Sequence, residues 1–127
     1  MADALRQERA ASFAPYVPRT DAIDWVDSLV EGQRIARQRG IPLMVYVATK
    51  WCGPCKRLKA VTFKDTNVIR AVNTQVVAVS LDGDSVSGRT YCRDMRITSY
   101  PTLVFHDVRG REIDRAFGYR PPARFIS

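Results

Sequence analysis

A six-residue apolar run, Leu43-Met44-Val45-Tyr46-Val47-Ala48, is followed four residues later by the first of two cysteines spaced Cys-x-x-Cys, Cys52 and Cys55. This juxtaposition narrows the possible folds more than any other feature of the sequence. The run opens after Pro42, is rich in strand formers and has no polar alternation, so it predicts a buried central strand. A strand buried on both faces needs layers above and below it. The residues from Cys52 to about Val61 suit a helix, which sets the cysteine pair at a strand-to-helix junction.

Other patterns predict the elements around that strand. Thr20 or Asp21 can cap a first helix whose apolar positions Ile23, Val26, Leu29 and Val30 recur at helical spacing, with Gly40 as its stop. Asp65 or Thr66 caps a short helix through Val72, and Gln75 to Leu81 is a second apolar β-rich run. Asp82-Gly83-Asp84 reads as a turn, because the spacing of a calcium loop is absent. Ser85 to Met95 is a helix with Tyr91, Cys92 and Met95 on one face. Thr102 to Phe105 and Glu112 to Phe117 are strands separated by a turn at Asp107 to Gly110, and Pro121-Pro122 opens a last helix. Helices alternating with strands, then two strands in succession, predict an α/β fold: a mixed sheet of about four strands with helices on both faces. Residues 1–20, broken by Pro15 and Pro18, read as an N-terminal arm, and 21–127 as one domain.

Charge and cysteine count bound the chemistry. The chain carries 20 Lys and Arg against 13 Asp and Glu, a net +7, but the positive residues are scattered without a block or an interleaved aromatic stripe. That pattern gives a solvated basic surface suited to an acidic protein partner rather than to nucleic acid. No apolar stretch reaches the roughly 18 residues of a membrane span, and residues 1–20 contain no apolar run of signal-peptide type. Three cysteines cannot all pair within one chain. Cys92 reads as a buried thiol that packs like a small apolar residue. His106 reads as a surface or hydrogen-bonded histidine. A structural zinc site needs four ligands, and Cys92 and His106 do not supply a second pair at ligand spacing. No metal or cofactor is expected.

Dithiol–disulfide cycling is the reading that remains. At a helix N-terminus Cys52 faces unpaired backbone N–H groups and the positive end of the dipole, which favour the thiolate. Cys55, one turn further in, is shielded. Cys52 is therefore the attacking sulfur and Cys55 the resolving one. Pro54 fits the first helical turn, where its missing N–H costs nothing. Gly53 leaves room for a substrate backbone, and Trp51 either offers a flat apolar surface beside the sulfur or packs in the core. Lys56 adds positive charge nearby or faces solvent.

The run Trp51-Cys52-Gly53-Pro54-Cys55-Lys56 resembles the active-site motif of the thioredoxin family, and Ile97-Thr98-Ser99-Tyr100-Pro101-Thr102 resembles that family's loop before a cis-proline. The resemblance covers residues 22–122. It is strongest toward bacterial thioredoxin-like domains such as the C-terminal domain of the transmembrane thiol:disulfide interchange protein, through Trp25 in the first helix, Gly40-Ile41-Pro42 and Thr62-Phe63-Lys64-Asp65. It implies a thioredoxin fold and a thiol-disulfide oxidoreductase, reducing by virtue of its Gly-Pro dipeptide. It further implies a cis Pro101 against the cysteine pair and a Tyr100 backbone that pairs with an extended substrate. Disulfide-containing protein substrates, an upstream thiol reductant protein, a monomer and a periplasmic location (a cytoplasmic one being the alternative) are implied as well. Two positions depart from thioredoxin proper: Tyr46 stands where a buried Asp is usual, and Ala78 where a buried Lys is. Tyr46 either donates a hydrogen bond near Cys55 or fills space, the latter being preferred. The loss of that pair leaves two alternatives open, an electron relay serving one partner and a non-catalytic binding domain.

Overall fold

The structure, a computed structural model, describes residues 17–126. The expected arm at 1–20 falls almost wholly outside that range. Along the chain run β1 (Trp25–Val26), α1 (Leu29–Arg39), β2 (Leu43–Ala48), α2 (Gly53–Ala60), a 3-10 turn (Thr62–Lys64), α3 (Thr66–Gln75), β3 (Val77–Asp82), α4 (Val86–Met95), β4 (Thr102–His106), β5 (Glu112–Phe117) and α5 (Pro122–Ile126). The strands form one mixed sheet in the order β1-β3-β2-β4-β5. β1, β3 and β2 are parallel, and β4 and β5 add antiparallel neighbours. The expected mixed sheet with helices on both faces is present, β1 being a two-residue edge strand beyond the four read from the sequence.

β2 explains its own composition. Side chains alternate across a strand, so Val45 and Val47 enter a core cluster with Ala36 of α1 and Tyr91 of α4, while Met44 and Tyr46 enter a second with Leu58 of α2 and Val68 and Val72 of α3. Both faces are covered, which is why no polar residue interrupts the run. The second cluster is tied together by aromatic edges: Phe63 meets Trp25, Tyr46 and Phe125 with ring centroids 5.1, 5.1 and 5.6 Å apart.

The first helix differs from the sequence expectation. It starts at Leu29, capped by the Ser28 hydroxyl accepting from the Glu31 N–H, and residues 20–27 are not helical. Asn73 of α3 is the reason. Its side-chain amide donates to the carbonyls of Arg19 and Ala22 and accepts from the Asp24 N–H, all at 2.9 Å. Those three bonds hold the segment open and feed Trp25 and Val26 into the sheet beside Ala78 and Val79. Trp25 is therefore a strand residue, not a helical one. At its other end α1 stops at Gly40, whose φ of 68° is the left-handed conformation that favours glycine.

His106 is buried and fully engaged: Nδ1 donates to the Gly110 carbonyl at 3.0 Å, leaving Nε2 to accept from the Tyr91 hydroxyl at 2.6 Å. It braces β4 against α4 and lies at the end of β4 remote from Thr102.

Candidate active site

β2 ends at Ala48, and the chain turns through Thr49, Lys50 and Trp51 into α2. The Cys52 N–H donates to the Thr49 carbonyl at 3.4 Å, closing that turn. Cys52 is the N-cap of α2: its backbone is extended, with φ −83° and ψ 115°, and its sulfur accepts from the Cys55 N–H at 3.1 Å. Ser, Thr, Asp and Asn usually supply that acceptor; here sulfur does. Pro54 sits in the first turn, where its missing N–H leaves no gap.

Cys52 and Cys55 are joined in a disulfide with their Cα atoms 5.2 Å apart, inside the usual range for such a bond. The two sulfurs are close enough to cycle between dithiol and disulfide. Sequence reasoning expects an accessible Cys52 and a shielded Cys55, but in this oxidised arrangement the residues are 4% and 3% exposed. Their difference lies in position: Cys52 caps the helix, whereas Cys55 is within it and one turn from buried Leu58. Gly53 and Pro54 are exposed above the pair, and no atom approaches within 4 Å of where a Cβ on Gly53 would stand. Lys56 is exposed, as its solvent-facing reading has it.

Trp51 is 67% exposed, which excludes the core-packing reading. It is nevertheless held. Its indole N–H donates to the Asp84 carboxylate at 2.9 Å, and its ring meets Tyr100 edge-on at 5.8 Å. Asp82-Gly83-Asp84 is the expected turn, and the Asp84 bond to Trp51 is a contact that sequence spacing does not announce. Gly83 is buried beneath Tyr100: a Cβ there would stand 2.6 Å from the Tyr100 ring.

Tyr100-Pro101 is a cis peptide bond, as the resemblance implies. Val47 pairs with Thr102, so Pro101 immediately precedes β4 at the end of the sheet where β2 delivers the cysteines. The Pro101 side chain is buried, and its carbonyl accepts from the Gly118 N–H at 2.9 Å. The Tyr100 hydroxyl lies 3.9 Å from the sulfur of Cys92, the free and buried third cysteine. Burial pushes the Cys92 thiol up, away from the reactive thiolate form.

Tyr46 does both things open to it. It fills the aromatic cluster, and its hydroxyl donates to the Cys55 carbonyl at 3.3 Å. Burial pushes its phenol up to about 12. Ala78 lies buried in register with Met44. Among the described residues no group of three or more His, Cys, Asp or Glu could hold a metal ion, and no helix is long and apolar enough to cross a membrane.

With this geometry in hand, comparison with known proteins is consistent from three directions. A family described as a thioredoxin-like domain matches residues 29–127. The thiol:disulfide interchange protein DsbD of Pseudoalteromonas atlantica is 28% identical over 113 residues, 87% of this chain and 19% of that protein. DsbD of Yersinia pestis is 28% identical over 95 residues, 72% of this chain and 16% of that protein. The chain thus spans less than a fifth of the length of these curated relatives. Among solved structures, a thioredoxin from Thermus thermophilus superposes with a TM-score of 0.75 at 28% identity, covering 83% of this chain and 82% of that one.

Proposed function

The chain belongs to the thioredoxin-like domain family, and from that premise we propose that it is a thiol-disulfide oxidoreductase whose Cys52 and Cys55 reduce or exchange disulfides in protein substrates. The observation that carries this reading is the Cys52 sulfur capping α2 while bonded to the cysteine one turn inside it. On reduction the same N–H and helix terminus face a sulfur that gains charge, which favours the thiolate. Cys52 attacks a substrate disulfide and forms a mixed disulfide. Cys55 then attacks Cys52 and releases the substrate thiol.

Trp51, Gly53, Pro54, Tyr100 and Pro101 form the substrate-binding surface of this reading. The exposed indole, fixed by Asp84 and Tyr100, gives an apolar platform at little further entropic cost. The Gly-Pro dipeptide supports net reduction, which requires an upstream thiol reductant protein. Thr62-Phe63-Lys64-Asp65, a feature of thioredoxin-like domains that are often exported, supports a periplasmic location. No metal or cofactor is needed, and the domain acts as a monomer.

The test is insulin reduction by dithiothreitol with the wild type, Cys52→Ser and Cys55→Ser. Wild-type turnover abolished by Cys52→Ser, with Cys55→Ser accumulating a mixed disulfide through Cys52, is the expected result. A second reading, an electron relay to one dedicated partner, is favoured by the exposed Lys50, Lys56, Arg57 and Lys59 around the pair, which suit an acidic docking face. It predicts slow insulin turnover but capture of a single protein by Cys55→Ser. A wild type that neither turns over insulin nor captures a thiol partner would leave only a binding domain.

A further inference from the structure

Gly118-Tyr119-Arg120, which follows β5, is pinned at both ends. The Gly118 N–H donates to the Pro101 carbonyl at 2.9 Å, and the Thr62 hydroxyl donates to the Arg120 carbonyl. Gly118 makes the turn with a φ of 73°, in the left-handed region that favours glycine. Tyr119 is thereby held half-buried against the second core cluster. The Arg57 guanidinium lies over its ring, 4.3 Å from the centroid, inside the range of a cation–π contact.

Arg57 stands four residues after Gly53 in α2, so the two share one helix face a turn apart. These contacts close a circuit. From Gly53 the chain runs back through Cys52 to Trp51, whose ring meets Tyr100. The cis bond leads on to Pro101, its carbonyl to Gly118, and Tyr119 to Arg57. The circuit rims the substrate-binding surface, and its charge is unequal. On the Tyr119 stretch stands Arg57, exposed and without a carboxylate partner among the described residues. On the Trp51 stretch stands the Asp84 carboxylate, which accepts from the indole. Lys50, Lys56 and Lys59 lie elsewhere, around a cavity that they share with Ser80 and Asp82 of β3.

Stacking engages the face of the guanidinium. Its in-plane N–H groups stay free, in the fork that binds a carboxylate through two bonds. A fork already held on a ring gives up less freedom on binding than a loose lysine does.

We infer that Arg57, fixed by Tyr119, is a specificity-determining residue: it selects protein disulfides whose reactive cysteine is flanked by Asp or Glu on the side that faces Tyr119. The inference rests on Cys52 and Cys55 being a dithiol that reduces protein disulfides. A carboxylate on the other side of the substrate cysteine faces Asp84 and gains nothing from the fork. Selection is exerted on the encounter that precedes Cys52 attack. It differs from the general attraction of a basic surface, which depends on the charge of a substrate and not on where that charge sits.

The test uses two short capped peptides of the same composition and net charge. One carries Asp just before its single cysteine, the other just after, and each is supplied as its own disulfide dimer. The reduced protein is mixed with each, and the release of peptide thiol gives two rates and their ratio. Intrinsic reactivity and general steering enter every variant alike, so the change in ratio isolates Arg57. Arg57→Met should move the ratio about threefold to fivefold, by slowing one peptide and sparing the other. Arg57→Lys should keep part of the preference, and high salt should bring the wild-type ratio toward that of Arg57→Met. Tyr119→Leu, which leaves the cation unheld, should reduce the preference and carries the test alone if Arg57→Met does not fold. A ratio unchanged by these substitutions would overturn the selection and leave the dithiol chemistry intact. A wild type that reduces neither peptide would overturn the dithiol reading and this proposal with it.

Discussion

Reducing the Cys52–Cys55 disulfide should destabilise the fold by an amount that depends on pH. The bond spans a sequence separation of 3, so it closes a loop of only four residues. For a loop that short the chain-entropy relation gives ~6 cal/mol/K, or about 2 kcal/mol at 25 °C. Scaled by the usual entropy of unfolding for a chain of this length, the reduced form should melt about 7 °C below the oxidised one. That figure applies where the freed Cys52 is a thiol, which is a weak acceptor. As pH rises and the thiolate forms, the sulfur 3.1 Å from the Cys55 N–H becomes a charged N-cap, which returns about 1 kcal/mol. The sign follows from linkage: the charged form is favoured in the folded state, so the reduced protein gains stability as pH rises. The oxidised–reduced gap should therefore shrink from about 2 to about 1 kcal/mol between acidic and mildly alkaline conditions. By the same cycle, folding makes the disulfide about 40 mV harder to reduce than in the unfolded chain at low pH, the direction that the proposed net reduction requires. Urea unfolding followed by tryptophan fluorescence, on both redox forms at two pH values, measures the gap. A reduced form as stable as the oxidised one in acid, or a gap that widens as pH rises, would refute the capping argument.

Two further outcomes follow from the second core cluster. Phe63→Ala removes a buried ring that touches Trp25, Tyr46 and Phe125 edge-on and should cost about 3–5 kcal/mol in urea unfolding; a loss under about 1 kcal/mol would contradict the packing described. Burial raises the Tyr46 phenol from 10.0 to about 12, so its contribution to stability is complete below pH 10.0 and is lost as pH rises through about 12. Tyr91 is raised in the same direction by burial, so Tyr46→Phe should lessen the alkaline loss without abolishing it. An unchanged alkaline limb would show that the phenol is not buried.

What the sequence disclosed tracks the range of the interactions involved. β2 and β5 have the limits their patterns predict because each is bounded by a local breaker, Pro42 before the apolar run and Gly110 two residues ahead of Glu112. The cysteine pair and Pro101 are legible for the same reason: their chemistry is written into four or six consecutive residues. α1 is not, because Ile23 and Val26 fit a helical period while Asn73, about fifty residues away, holds them extended. Val30, counted as apolar periodicity, faces water. The Trp51 bond to Asp84 joins residues 33 apart. Tyr46 shows the intermediate case: its burial was readable from the run it belongs to, its hydroxyl's target was not.

Gly83 performs no chemistry, yet the placement of two aromatic rings beside the cysteine pair depends on it. The Tyr100 ring lies where a methyl group on that glycine would have to go, and the exposed Trp51 indole leans on that same ring. Adding one carbon beneath the tyrosine would lift both rings together, so the shape of the proposed binding surface is set from below by an atom the sequence omits.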